Sequence, residues 1–176
     1  MKRAATLILL ALFISTFDET SAQTELNKHY LGPSVGISFL GSTFQIGLNY
    51  EYALHQDDIG IVGIGGIFRY WGYSESYEDG KYSYSDVLIG AQGNYHFRIA
   101  DKRFDPFAGL VLAYDAGTVD WEGEEPRDTP VYGGFWIGLH GGLRYWINPK
   151  VALNGRLSFG TLGYGAIEFG VDFKIQ

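Results

Sequence analysis

Phe44-Gln45-Ile46-Gly47-Leu48-Asn49-Tyr50-Glu51-Tyr52 alternates without a break between large apolar residues and small or polar ones. A period of two is the signature of a β-strand, which sends successive side chains to opposite faces. Phe44, Ile46, Leu48, Tyr50 and Tyr52 therefore share one face, and Gln45, Gly47, Asn49 and Glu51 the other. The pattern returns along the chain. Val62, Ile64, Phe68 and Tyr70 oppose Gly63, Gly65, Ile67 and Arg69, and Val87, Ile89, Ala91, Tyr95 and Phe97 oppose Leu88, Gly90, Gln92, Asn94 and His96. A strand from about Pro106 to Tyr114 puts Ala108, Leu110, Leu112 and Tyr114 on one face, with Phe107 and Val111 blurring the contrast. Phe135, Ile137, Leu139, Leu143 and Tyr145 mark another, Val151, Leu153, Leu157 and Phe159 the next, and Ile167, Phe169, Val171, Phe173 and Ile175 the last. With a weaker first strand at Val35, Ile37 and Phe39, these predict an all-β, eight-stranded antiparallel up-and-down barrel.

Alternation alone does not say whether the apolar face looks inward, as in a soluble barrel, or outward into lipid. The face opposite the apolar one is rich in Gly, Asn, Gln, Ser and His rather than in the Lys and Glu of a soluble exterior. Its ionisable residues carry both signs, so they can pair across a narrow lumen: Glu51, Arg69, Arg144, Arg156, Glu168 and Asp172, joined by His96 and His140. Aromatic residues gather near strand ends, at Tyr50 and Tyr52, Tyr70 and Trp71, Tyr95 and Phe97, and Tyr145 and Trp146, the levels of two lipid headgroup layers. These features predict a lipid-facing exterior and a polar network inside.

The expected connections alternate in length. Leu54 to Asp58, Arg98 to Asp105 and Ile147 to Lys150 are modest links for the periplasmic end, while Gly72 to Asp86 and Asp115 to Gly134 are long enough for external loops. Tyr73, Tyr77 and Tyr82 in the first long loop, and Asp120, Trp121 and Glu122 in the second, are the candidate surface contacts. The second loop holds six acids and one base, but its spacing does not match a calcium loop.

Ahead of the strands, Lys2 and Arg3 precede an apolar run from Ala4 to Phe17 and a short stretch ending at Ala22. This predicts a cleaved signal peptide over 1–22, an N-terminal arm over 23–32 and the barrel over 33–176. Of the 176 residues, 25 are Gly, 16% are aromatic and none is Cys, which excludes disulfides, thiolate metal sites and a Cys nucleophile. A net charge of −7 argues against nucleic-acid binding. No cofactor or metal motif is present.

The chain resembles the small outer-membrane β-barrel proteins grouped with the OmpA transmembrane domain and the OmpX/Ail adhesin type, often labelled porin-family proteins. The resemblance rests on the dyad-repeat strands, the Asp105-Pro106-Phe107-Ala108-Gly109-Leu110 strand opening and the Tyr145-Trp146-Ile147-Asn148-Pro149-Lys150-Val151-Ala152-Leu153 hairpin. Family members commonly end in an aromatic residue, whereas here Phe173 precedes Lys174-Ile175-Gln176. The resemblance implies the outer membrane of a Gram-negative bacterium, contact with lipopolysaccharide and phospholipid, and passage through the barrel-assembly machinery. It implies architecture and location rather than an activity; the two long loops point to a structural or adhesin-like role. The alternatives are a narrow channel for small solutes and a lipid A-modifying enzyme using His96 or His140.

Overall fold

The computed structural model describes residues 23–123, 125, 127–129 and 132–175; the expected signal peptide lies outside them. Nine antiparallel strands follow in order: β1 (His29–Ser38), β2 (Thr43–Gln56), β3 (Gly60–Tyr77), β4 (Gly80–Phe97), β5 (Phe104–Asp115), β6 (Thr118–Gly123), β7 (Gly134–Asn148), β8 (Val151–Gly160) and β9 (Gly165–Lys174). Each barrel strand pairs with the next, β5 with β7, and β9 returns to β1 through registers such as Leu31 with Phe173 and Val35 with Phe169. Eight strands thus form a closed ring, and β6 stands outside it. β1 begins at His29, inside the segment expected as an arm.

The long link expected between Gly72 and Asp86 is instead a hairpin. β3 and β4 continue in register from Trp71 opposite Asp86 to Tyr77 opposite Gly80. Part of the other expected loop is also strand, since β6 pairs with β4 from Thr118 opposite Ser85 to Gly123 opposite Gly80. Together these make a three-stranded arm rising from one end of the barrel.

Tight turns close the opposite end. Asp57 Oδ1 accepts from the Ile59 and Gly60 amides at 2.9 and 2.8 Å, and Asn148 Oδ1 accepts from Lys150 and Val151 at 2.9 and 3.0 Å. The Tyr95 hydroxyl, with those amides, holds the Asp57 carboxyl below its ordinary range. On the arm side, Gly41 adopts a φ of +66° at the β1–β2 turn, a conformation that costs Gly little.

The residues expected on the apolar face all project outward. Phe135 is 81% exposed, Phe169 62% and Leu112 61%, an exterior that water would penalise at about 25 cal/mol per Å² and that hydrocarbon would not. The two tryptophans expected at headgroup level are a correction: Trp71 and Trp146 are 1% and 2% exposed. Each follows an outward tyrosine, and parity turns it into the lumen.

There they belong to two apolar plugs. Ile67, Trp71, Leu88, Val111, Ala113, Trp136, Tyr164 and Ala166 fill the arm end, with Tyr164 stacked on Trp71 at 4.6 Å and edge-on to Trp136 at 5.4 Å. Tyr30, Ala53, Ile61, Trp146 and Ala152 fill the other end. Placing a charge on the outer band tests which solvent it faces. Leu112→Arg is expected to cost about 2–4 kcal/mol, read by equilibrium urea unfolding in lipid vesicles, against little change for the same substitution at exposed Ser76.

Candidate functional site

Between the plugs the lumen carries polar side chains contributed by all eight barrel strands. Its hub is Arg144 on β7, which donates from Nη2 to Glu51 Oε2 at 2.8 Å, from Nε to Asp172 Oδ2 at 2.5 Å and from Nη1 to Thr24 Oγ1 at 3.0 Å. His96 on β4 lies between two carboxylates, with Nε2 at 2.6 Å from Glu51 and Nδ1 at 2.9 Å from Asp105. Both acceptors are carboxylate oxygens, so donating to both takes the imidazolium. Asn94 adds a bond to Glu51 at 2.8 Å, and Asn154 one to Asp172 at 2.9 Å.

A second group lies nearer the arm. Arg69 on β3 meets Glu168 on β9 at 2.6 and 3.0 Å and donates to Asn49 at 2.7 Å, while Ser34 donates to Glu168 at 3.1 Å. Arg156 donates to Asn49 and Gln92 at 2.9 and 3.0 Å, and its Nε and Nη2 have no hydrogen-bond partner among the described residues. His140 donates from Nε2 to Asn94 Oδ1 at 2.6 Å. Four carboxylates, Glu51, Asp105, Glu168 and Asp172, therefore face three guanidiniums and the His96 imidazolium. The set is neutral only as a whole, as a low-dielectric interior requires.

All eight residues expected in the lumen are buried there: Glu51, Arg69, His96, His140, Arg144, Arg156, Glu168 and Asp172. Arg156 sits directly opposite Glu168 in the β8–β9 register, yet Glu168 turns across the lumen to Arg69. Sequence reading put Asn49, Gln92 and Asn94 on the lumen face without assigning them to the network, and left out Asp105 and Thr24. Parity along β5 was the available signal for Asp105, since it shares a face with Phe107 and Val111, which are 3% and 2% exposed.

Glycines make room for these groups. A Cβ on Gly63 would stand 2.0 Å from Glu51 Oε1, and one on Gly32 would stand 1.8 Å from Asp172 Oδ1. A gap bordered by Ser34, Asn49, Asn154, Arg156 and Glu168 is too small to admit water. Thr24 Oγ1, His96 and Glu51 have the connectivity of a nucleophile, base and acid, with Thr24 Oγ1 3.4 Å from His96 Nδ1. That hydroxyl instead donates to Asp105 at 2.6 Å, the group is sealed from solvent, and an imidazolium has no lone pair to take its proton. At the arm end, Asp86 and Asp115 bring their carboxyls together with no basic partner among the described residues.

Above the barrel, the arm has two unlike faces. Parity carries the lumen side of β3 and β4 upward, so Tyr73, Glu75, Tyr77, Tyr82 and Tyr84 face the barrel axis, with Val119 and Trp121 of β6 beside them. Tyr73 and Tyr84 stack at 4.5 Å, and the Tyr82 and Trp121 rings meet at a 51° tilt with centroids 4.6 Å apart. Asp120 and Glu122 lie on the other face, where Glu122 pairs with Lys81 at 3.1 Å. The six expected loop contacts thus divide, with Tyr73, Tyr77, Tyr82 and Trp121 on the aromatic side.

No family model matches the chain, and no curated protein does. Among solved structures, Neisserial surface protein A (NspA) is similar at 19% identity and a TM-score of 0.60, over 84% of this chain and 95% of that one. The N-terminal β-barrel domain of Pseudomonas aeruginosa OprF is 14% identical with a TM-score of 0.56, over 86% and 100%. A de novo designed transmembrane β-barrel is 12% identical with a TM-score of 0.54, over 86% and 98%. The likeness is one of fold: the chain is a closed eight-stranded barrel of the transmembrane type. A designed protein shares that fold, so the architecture by itself specifies no role.

Removing one member of the lumen set leaves the others uncompensated. Arg144→Met is expected to cost about 3–5 kcal/mol in vesicle unfolding, and adding Glu51→Gln to recover part of the loss. Equal, additive losses would mean that the two groups do not interact.

Proposed function

We propose that this chain is an integral outer-membrane protein of a Gram-negative bacterium whose role is interaction at the cell surface, carried by the arm of β3, β4 and β6. The observation behind this reading is a platform of packed aromatic rings, Tyr73, Tyr77, Tyr82, Tyr84 and Trp121, standing clear of an apolar-walled barrel. Stacked aromatic rings offer large contact area at low entropic cost, the property that enriches Tyr and Trp at binding surfaces. On this reading the tight-turn end faces the periplasm, residues 1–22 direct export, the barrel-assembly machinery inserts the chain, and lipopolysaccharide and phospholipid surround it.

A conducting pore is the less supported alternative. Plugs close both ends, and the middle is filled by paired charges. The enzyme alternative is also less supported, because His96 and His140 are 2% and 5% exposed inside the lumen, away from lipid.

The absence of cysteine makes topology easy to measure. A single cysteine replacing Ser76 at the arm tip is expected to react with a membrane-impermeant maleimide on intact cells. One replacing Asp101 in the opposite turn should react only after permeabilisation. The reverse pattern, or a soluble periplasmic product, would sink the proposal. Planar bilayers holding the folded protein are expected to show no steady conductance.

A further inference from the structure

The aromatic platform is not bare. Beyond β6, Glu125, Arg127 and Asp128 form a covering segment against it, and the guanidinium carbon of Arg127 lies 4.6 Å from the centre of the Trp121 ring. Arg127 also pairs with Asp79 at the β3–β4 turn. Trp121 Nε1 donates to the Glu125 carbonyl at 2.7 Å and the Tyr82 hydroxyl to the Asp128 carbonyl at 3.5 Å, while Tyr132, ahead of β7, meets the Tyr73 hydroxyl of β3 at 3.2 Å. The seat that Arg127 fills is an aromatic face flanked by carboxylates, the environment that best holds a planar, weakly hydrated cation.

The surroundings hold more negative charge than Arg127 neutralises. The described residues of the arm and its covering segment carry seven acids, Glu75, Glu78, Asp79, Glu125 and Asp128 together with Asp120 and Glu122 on the other face, against Lys81 and Arg127. Glu78, Asp120, Glu125 and Asp128 have no ion-pair partner among the described residues. Tyr77 is 51% exposed, so the platform is reachable from solvent.

We infer that the axis-facing side of the arm is a binding site for an arginine-bearing basic peptide segment, and that Arg127 is a resident competitor occupying the seat a partner's guanidinium would take. Charge complementarity and the self-occupied seat both select this occupant over an anionic or purely apolar one. The inference deepens the surface-interaction reading and rests on it for its biological setting. The chemistry of the seat stands apart from topology.

The test uses the full chain folded into nanodiscs of zwitterionic phosphatidylcholine, with an eight-residue peptide of alternating arginine and glycine as the probe. The peptide is expected to shift the Trp121 indole resonance and leave those of Trp71, Trp136 and Trp146, sealed in the lumen, in place. Arg127→Ala is expected to tighten binding about fivefold by vacating the seat, and adding Trp121→Leu to abolish that gain. Unboiled gel mobility checks that each variant is folded. Unchanged affinity in Arg127→Ala together with an unmoved Trp121 resonance would overturn the site and leave only diffuse attraction to an acidic surface. Binding in nanodiscs combined with failure of Ser76 labelling on cells would uphold the site and remove its surface role.

Discussion

A peptide group in hydrocarbon has no water to bond to, so a sheet that meets lipid on its outer side must leave no edge. The pairing of β9 with β1 satisfies that condition, and much of the structure follows from it. Eight strands closed on themselves fix a bore that side chains fill. Closure also forces each strand to be apolar outward and to send inward whatever else the sequence contains. Among the described residues that includes nine Asp, Glu and Arg side chains and two histidines.

A narrow bore turns those charges into one problem. Between the two plugs no charge is paired by water, so each of the four carboxylates there, Glu51, Asp105, Glu168 and Asp172, needs a donor from another strand; Asp86 and Asp115 at the arm end stand apart from that set. The Arg144 and Arg69 clusters meet that demand with bidentate and bridging contacts, and His96 supplies the fourth positive charge. The glycines opposite are part of the same arrangement. Gly63 and Gly32 stand where a side chain would collide with Glu51 and Asp172, so large polar groups and absent side chains occupy facing positions.

The barrel was legible because its two faces face two solvents, which imprints a period of two on every strand. The eight lumen residues were legible for the same reason. Their partners were less so, because the register sets which residues are opposite but not which reach across the bore: Arg156 opposes Glu168, yet Arg69 holds it. Trp71 and Trp146 were read by composition, as aromatics near strand ends, where parity would have turned them inward. The arm was missed as strand although Thr118-Val119-Asp120-Trp121-Glu122 alternates. Outside the membrane that alternation separates an aromatic face from a charged one, and polar residues at a strand-like period read as loop.

The lumen set has a meaning for assembly that its static description leaves out. Its members come from every barrel strand, residues as far apart in the chain as Ser34 on β1 and Asp172 on β9. Strands that slide past one another by two residues keep their apolar faces outward, and hydrophobicity would not detect the error. The charges would, because a slipped strand separates a guanidinium from its carboxylate in a space without water. Apolar alternation specifies that there is a barrel; the buried charges act as a checksum on which barrel it is.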